Sequence, residues 1–459
     1  MRLFRTLIPT TILGLLVSEV VLLIACYVIA AIATLDFDPV VYLVYEGNYW
    51  KVLFLVMMIV LVMYFQDLYG NCRVTSRITL IQQVCLAVGG SLLALALLGY
   101  LESDWVMPRG LTIVGSCLAI ILVPLWRVFY SRFVVNVLQT DRLLLLGNSS
   151  ILAESAAHVL HRPELGYTIL GYLCEVEPVE FPVPCLGKVS DLRLIEALLK
   201  PTRIVVGMEE RRGRMPVQDL LEIRFSGTMI EDAADMYEAA TRRVCTGKIQ
   251  PSQLIFTSEL GPRRSALAFH DLYSFVLGLV GLVVTLPLML LVAIAVRLTS
   301  PGPVIYKQRR VGLNGHSFNL YKFRSMYVNA EAGTGAVWAQ KDDPRITPLG
   351  KWLRRLRLDE MPQFWNVVAR EMAIVGPRPE RPEFVETLAV QIPYYRQRLA
   401  VKPGITGWAQ INHKYGDSDL DAMVKLEYDL YYIKHVSLAL DAYIIFHTMK
   451  VMLLSRGAQ

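Results

Sequence analysis

Charge is what this sequence has least of. Only 19% of its 459 residues are Asp, Glu, Lys or Arg, against 54% hydrophobic residues, whereas a soluble globular chain carries about 25% charged residues. That shortfall excludes a purely soluble enzyme, and the apolar excess excludes a disordered chain. Cysteine is sparse as well: seven in all, none after Cys245, none paired as CxxC and none set with His at zinc-ligand spacing. Neither a disulfide framework nor a structural zinc site is expected. His158 and His161 lie three apart in a helical stretch, but an unaccompanied pair of this kind reads as a surface feature.

What fills the space is membrane sequence. Four apolar runs, at 7–34, 49–65, 78–101 and 111–125, are long enough to cross a bilayer or nearly so. Arg2 and Arg5 precede the first, Arg73 and Arg77 lie between the second and third, and Arg127 and Arg132 follow the fourth. The opposite loops carry Asp36, Asp38 and Glu46, then Glu102 and Asp104 with a single Arg109. The positive-inside rule puts both ends of this four-helix transmembrane domain, residues 1–140, on the cytoplasmic side. The first run has no small-residue cleavage site, so it reads as a retained anchor. Glu19 within it is expected to face a neighbouring helix.

Residues 141–250 alternate differently. Short apolar strands at 142–146, 168–174 and 203–207 interleave with helical stretches at 151–160, 191–199 and 218–225. The pattern predicts a small Rossmann-like α/β domain with a parallel sheet. Its first turn, Gly147-Asn148-Ser149-Ser150, has Ser149 and Leu152 where a dinucleotide fingerprint needs glycine. A structural or regulatory role is the stronger reading.

A linker at 251–272 leads to a second kind of membrane segment. Residues 274–296 carry no charge, yet both flanks are basic: Arg263 and Arg264 before, then Arg297, Lys307, Arg309 and Arg310 after. Pro287 lies past the middle, where it removes a backbone hydrogen bond. A re-entrant helix over 273–299 that bends at Pro287 and returns to the same face satisfies both facts. The alternative is a fifth span with a proline kink.

The remaining domain, 300–459, is polar and dense in motifs. From 301 onward, 22 Lys and Arg face 15 Asp and Glu, so this region holds all of the chain's net charge of +6. Such a surplus suits anionic lipid headgroups or phosphorylated substrates, and the apolar spans argue against nucleic acid. Strands at 306–311 and 317–326 carry Lys307, Arg309, Arg310, Lys322 and Arg324, placed to line a diphosphate site or meet lipid headgroups. Thr347-Pro348 starts a basic amphipathic helix, with Leu349, Trp352, Leu353 and Leu356 on one face and Lys351, Arg354, Arg355 and Arg357 around the rest, suited to a membrane interface.

That helix runs into Asp359-Glu360. Pro362 then opens the next helix. Three arginines and a positive helix end are expected to keep both acids ionised, fit for a nucleophile or a hard-metal ligand. Charge pairing and capping are the plain alternative. Gly376-Pro377-Arg378-Pro379 holds an arginine between two prolines, aimed with little entropy left to lose, as a phosphate fork should be. Lys402-Pro403-Gly404-Ile405-Thr406-Gly407-Trp408 is a second rigid turn. Asp417, Asp419 and Asp421 read as surface, whereas Asp429 is a better candidate for a functional carboxylate.

Five stretches in order carry a resemblance: YKQRRVGL (306–313), YKFRSM (321–326), LRLDEMPQFWNV (356–367), VGPRPE (375–380) and VKPGITGWAQIN (401–412). Residues 323–429 resemble the catalytic domain of the bacterial sugar transferases, the monotopic polyprenyl-phosphate phosphoglycosyl transferases. The upstream membrane and α/β parts are similar to the family's long form, which includes the undecaprenyl-phosphate glucose and galactose phosphotransferases. The resemblance implies a fold of transmembrane bundle, α/β domain and re-entrant helix with an α+β catalytic domain, at the cytoplasmic face of the bacterial inner membrane.

It also implies a reaction. A UDP-sugar gives its sugar 1-phosphate to undecaprenyl phosphate, UMP leaves, and an aspartyl sugar-phosphate forms on the way, as the first membrane step of a surface polysaccharide. By position Asp359 is the nucleophile and Glu360 the Mg²⁺ ligand. Lys322, Arg354, Arg378 and Asp429 match functional positions, with Gln308 and Arg324 as further substrate-binding candidates. One departure is Leu286-Pro287 at the bend, where short members have Ser-Pro. A homodimer through the upstream domains is a further expectation, and the sugar is not readable. The rival readings are a direct glycosyltransferase that releases UDP and a non-catalytic assembly platform.

Overall fold

The computed structural model describes residues 2–3, 6–7, 10–69, 76–134, 141–162, 165–175, 180–208, 215–246, 264–328, 330, 343–413 and 419–453. The chain divides into two compact units, one made of nearly all residues up to Met236 and one running from Tyr237 onward.

The first unit opens with four apolar helices: α1 (Thr10–Thr34), α2 (Tyr49–Phe65), α3 (Arg77–Leu101) and α4 (Arg109–Phe129). Three reach membrane-spanning length and α2 is shorter. Leu23, Tyr27, Leu55, Ile59, Met63, Val84, Leu111 and Val123 form their shared core. A side chain at Gly115 would run into the Tyr27 ring, so that glycine lets α1 and α4 close together. Glu19 does face its neighbours. Its carboxylate lies 2.6 Å from Arg127 Nε and accepts from the Tyr69 hydroxyl at 2.6 Å. Arg127, expected to follow the fourth apolar run, lies in the last turn of α4, where it is buried and also donates to the Leu68 carbonyl.

The α/β part follows as β1 (Asp141–Leu146), α5 (Ser150–His161), β2 (Tyr167–Leu173), β3 (Cys185–Gly187), α6 (Leu192–Leu199), β4 (Arg203–Val206), α7 (Val217–Phe225) and β5 (Met229–Asp232). The five strands form one parallel sheet in the order β3-β2-β1-β4-β5. At the turn after β1, Gly147 adopts φ +108° and a Cβ there would sit 2.5 Å from the Gly207 carbonyl oxygen. Ser149 spends its own groups locally: its N–H donates to Gly207 O, and its hydroxyl caps α5 by accepting from Leu152 N.

The second unit begins within α8 (Ala233–Thr241) and continues with α9 (Arg264–Thr299), a single 36-residue helix. Residues 251–263 of the predicted linker lie outside the described residues, and from Arg264 the chain is already helical. Pro287 sits inside α9 without ending it, and two residues earlier the Thr285 hydroxyl donates back to Gly281 O, a bond that bends helices. Only 11% of the most apolar window of α9 is buried. Such a surface needs lipid around it.

Beyond it come the antiparallel hairpin β6 (Ile305–Val311) and β7 (Ser317–Phe323), α10 (Pro348–Arg355), α11 (Gln363–Val368) and β8 (Ala373–Val375). Then follow α12 (Pro382–Gln391), β9 (Gly404–Thr406), α13 (Trp408–Asn412), α14 (Asp419–Lys434) and α15 (Leu438–Leu453). β8 and β9 pair in parallel. Trp408, Val375, Leu426, Tyr432 and Ile444 belong to the core that the C-terminal helices close. Asp417 lies outside the described residues, and Asp421 meets the His413 ring at 3.0 Å.

Candidate active site

The acidic pair is delivered by a local backbone device. Thr347 caps α10 and Pro348 opens it, and the helix stops at Arg355. Arg357 then turns left-handed at φ 53°, a conformation that costs a non-glycine residue roughly 1–2 kcal/mol and is kept where the surroundings enforce it. A tight turn over Leu358–Glu360 follows, and α11 starts directly behind it.

Glu360 is surrounded by cations. Lys322 Nζ on β7 stands 2.9 Å from Oε1, Arg378 Nη2 lies 3.6 Å from the same oxygen, and Arg357 Nη1 lies 3.7 Å from Oε2. Burial alone would push this carboxyl up, but Lys322, Arg378 and Arg357 together hold it well below the usual carboxylate range. Asp359 goes the other way. It is buried, and burial together with the charge of Glu360 raises it against the pull of Lys322 and Arg354. Both acids were expected to be ionised; Glu360 is held so by its cations, whereas Asp359, pushed up to about 6, gives up its proton less readily.

The Arg378 loop is fixed on all sides. Gly376 N–H donates to Thr406 O, Pro377 O accepts from Gly404 N–H, and a side chain at Gly376 would strike Lys402 O. Arg398 Nη2 donates to Arg378 O at 3.1 Å, and Arg310 Nη1 donates to Pro379 O at 3.0 Å. Asp429 takes its place here. Its buried carboxylate accepts from Arg398 at 2.8 and 3.1 Å, so it acts on the loop through Arg398. Arg324, expected among the substrate ligands, instead closes the C-terminal end of α9 by donating to Ser300 O and Pro301 O at 2.7 Å. Gln308 accepts from Arg310 at 2.7 Å, and Arg354 Nε donates to Ser325 Oγ at 3.0 Å.

Three positions that hold the site were not legible as such. Asn366 is fully buried. It accepts from Tyr321 N–H and donates to Asn319 O, which ties α11 to the strand that carries Lys322. A polar residue inside the apolar FWNVV run was the signal. Gly278 and Gly281 on α9 form a notch: a Cβ at the first would lie 2.6 Å from Val367 and at the second 2.7 Å from Phe364. The helix behind the acidic pair thus rests against the membrane helix.

Among the described residues no group of three or more His, Cys, Asp or Glu side chains is placed to hold a metal. Two adjacent carboxylates suit a Mg²⁺ ion, which commonly keeps waters and completes its shell with substrate phosphates. The donor set at 359–360 fits an ion shared with a diphosphate and does not fit a cation caged by protein alone.

Residues 265–455 match the family model described as bacterial sugar transferase. A UDP-glucose:undecaprenyl-phosphate glucose-1-phosphate transferase from Xanthomonas campestris pv. campestris is 34% identical over 351 residues, covering 73% of this chain and 72% of that protein. A UDP-N-acetylgalactosamine-undecaprenyl-phosphate N-acetylgalactosaminephosphotransferase from Aeromonas hydrophila is 48% identical over 173 residues, 38% of this chain and 41% of that protein. An undecaprenyl-phosphate glucose phosphotransferase from Komagataeibacter xylinus is 45% identical over 195 residues, 41% of this chain and 36% of its own length. The chain thus spans well under half of two of these relatives. With its motifs folded into one cationic site and the Xanthomonas relative matched along most of both chains, this chain belongs to the bacterial sugar transferase family.

Proposed function

We propose that this chain transfers a sugar 1-phosphate from a UDP-sugar to undecaprenyl phosphate and releases UMP. The observation that carries the reading is a buried carboxylate, Asp359, placed beside a second carboxylate held by three cations. In the first step an oxygen of ionised Asp359 attacks the phosphorus that bears the sugar. The bond from that phosphorus to the bridging oxygen breaks, and UMP departs with the electron pair. In the second step an oxygen of undecaprenyl phosphate attacks the same phosphorus, the aspartyl–phosphorus bond breaks, and the carboxylate is regenerated.

The residues divide this work. Lys322, Arg357 and Arg378 offer positive charge to the diphosphate oxygens as charge moves onto the leaving UMP. Glu360 is the residue that would hold Mg²⁺, which would supply further neutralisation of the diphosphate. Raising the carboxyl of Asp359 makes it a stronger base and, once its proton is lost, a stronger nucleophile. Burial also keeps water from an acyl phosphate that it would hydrolyse. α9 is proposed to enter the inner membrane and return at Pro287, with its basic flanks and the site on the cytoplasmic face where both substrates meet. The exposed Trp352 and Leu356 support contact with that surface.

The test is nucleotide release from a panel of UDP-sugars, UDP-glucose and UDP-N-acetylgalactosamine among them, with the purified chain, Mg²⁺ and undecaprenyl phosphate. UMP appears with one donor and not with Asp359→Asn. Release of UDP, or activity that survives Asp359→Asn, would overturn the mechanism.

A further inference from the structure

A buried polar cluster at the foot of α9 has no part in the chemistry just described. His270, two turns into the helix and 3% exposed, places Nε2 3.1 Å from the Val375 carbonyl oxygen. Tyr432 on α14, 1% exposed, donates its hydroxyl to the same oxygen at 3.2 Å and sits 3.1 Å from His270 Nε2. A carbonyl only accepts, so Nε2 carries the hydrogen. Asp441 on α15 lies 3.5 Å from that nitrogen and accepts from the Tyr273 hydroxyl.

The position of Val375 gives the cluster its meaning. It ends β8, a three-residue strand that among the described residues pairs with β9 alone, and Arg378 follows three residues later. Between 375 and 380 the carbonyls of 375, 377, 378, 379 and 380 all accept hydrogen bonds. Four of these bonds come from within the catalytic domain, from β6, β9 and Arg398. The first comes from the membrane helix. Two donors on one carbonyl satisfy both of its lone pairs, and buried satisfied groups of this kind specify one geometry.

From this we propose that His270 and Tyr432 are positioning residues: they latch the strand end before Arg378 to the foot of α9, so that the guanidinium stays aimed at the diphosphate. This rests on the functional reading above and deepens it, since it makes seating of the membrane helix part of donor binding. Without the latch the strand end relaxes, and a displacement of an ångström at a gripping group is costly.

The experiment uses the full chain in lipid nanodiscs and measures UDP binding by calorimetry, with a melting curve for every variant. Tyr432→Phe removes one hydroxyl and weakens UDP binding roughly tenfold. Arg378→Ala weakens it at least as much, and adding Tyr432→Phe to Arg378→Ala costs nothing further. His270→Leu reproduces the loss, while His270→Gln, which keeps a donor near the carbonyl, recovers most of it. Losses that add across the double variant, or a Tyr432→Phe protein that binds UDP like the wild type, overturn the latch. If Tyr432→Phe melts early, the His270→Leu and His270→Gln pair decides, and equal affinities overturn it. A wild type that does not bind UDP overturns the functional reading instead, and the latch falls with it.

Discussion

Lys322 and Glu360 form an ion pair, Nζ to Oε1 at 2.9 Å, across the join between β7 and the turn before α11. The same carboxylate faces Arg378 and Arg357, and Arg354 acts on the neighbouring Asp359. Four cations around two carboxylates leave the site positive, which is the charge a polyanion completes. Lys322→Met removes the nearest of them. UMP release should fall about 10²–10³-fold in kcat/KM, the usual cost of losing a donor aimed at developing charge. Lys322→Arg should retain more of the rate, because a cation remains. Equal rates for Lys322→Met and wild type would mean that Glu360 needs no partner.

The glycine notch on α9 gives a prediction about packing. Gly281→Val puts a branched side chain where even a Cβ would meet Phe364 at 2.7 Å. Overpacking of this kind costs about 1–3 kcal/mol. It pushes α11 away from the helix and shifts the acidic turn that precedes it. The melting temperature of the detergent-solubilised chain should drop, and UMP release should fall further than the lost folded fraction explains. Gly89→Ala on α3 is the control: nothing lies within 4 Å of its Cβ, so the gain in helix propensity leaves stability level or slightly higher.

Much of this was legible in the sequence, and for physical reasons. Uninterrupted apolar runs have one stable solution in lipid, so α1 to α4 and α9 were plain. Gly376-Pro377-Arg378-Pro379 announced a fixed arginine, because proline and glycine write backbone geometry locally. What failed to show was anything decided by partners far away in sequence. Arg324 and Lys322 are both cations near the end of one hairpin, yet one closes a helix and the other meets Glu360. Asp359 and Glu360 are adjacent acids, both raised by burial, and the cations gathered around Glu360 separate their protonation. Helices α14 and α15 carry polar residues that look like surface until their distant partners are known: Tyr432 and Asp441 meet His270, and Glu427 accepts from the Tyr237 hydroxyl at 3.0 Å.

Asp441 supplies the pH dependence. It is fully buried, and burial pushes its carboxyl up to about 8, whereas in the unfolded chain an Asp titrates near 3.9. Between these values the folded state holds a proton that the unfolded state has lost. Stability is therefore fullest below pH 4 from this group and declines as pH rises toward 8. Asp441→Asn cannot lose the proton. Melting curves should show the wild type losing stability between pH 5 and pH 8 relative to the variant, with the gap closing at the acidic end. Parallel curves for the two proteins would show that Asp441 is charged when folded.

The last prediction concerns the pair buried in the membrane bundle. Glu19 and Arg127 are 0% and 5% exposed and meet at 2.6 Å, with Tyr69 and the Leu68 carbonyl taking up further bonding positions. Removing one partner strands the other charge, at a cost of roughly 3–5 kcal/mol. Glu19→Leu should therefore lower the melting temperature of the bundle sharply. Replacing both partners, as in Glu19→Leu with Arg127→Met, strands nothing and should recover most of that loss. UMP release per folded molecule should be unchanged in the double variant, because neither residue contributes to the acidic site. A double variant that melts like the wild type but no longer releases UMP would give this pair a part in the reaction, which its partners within the bundle, Tyr69 and the Leu68 carbonyl, argue against.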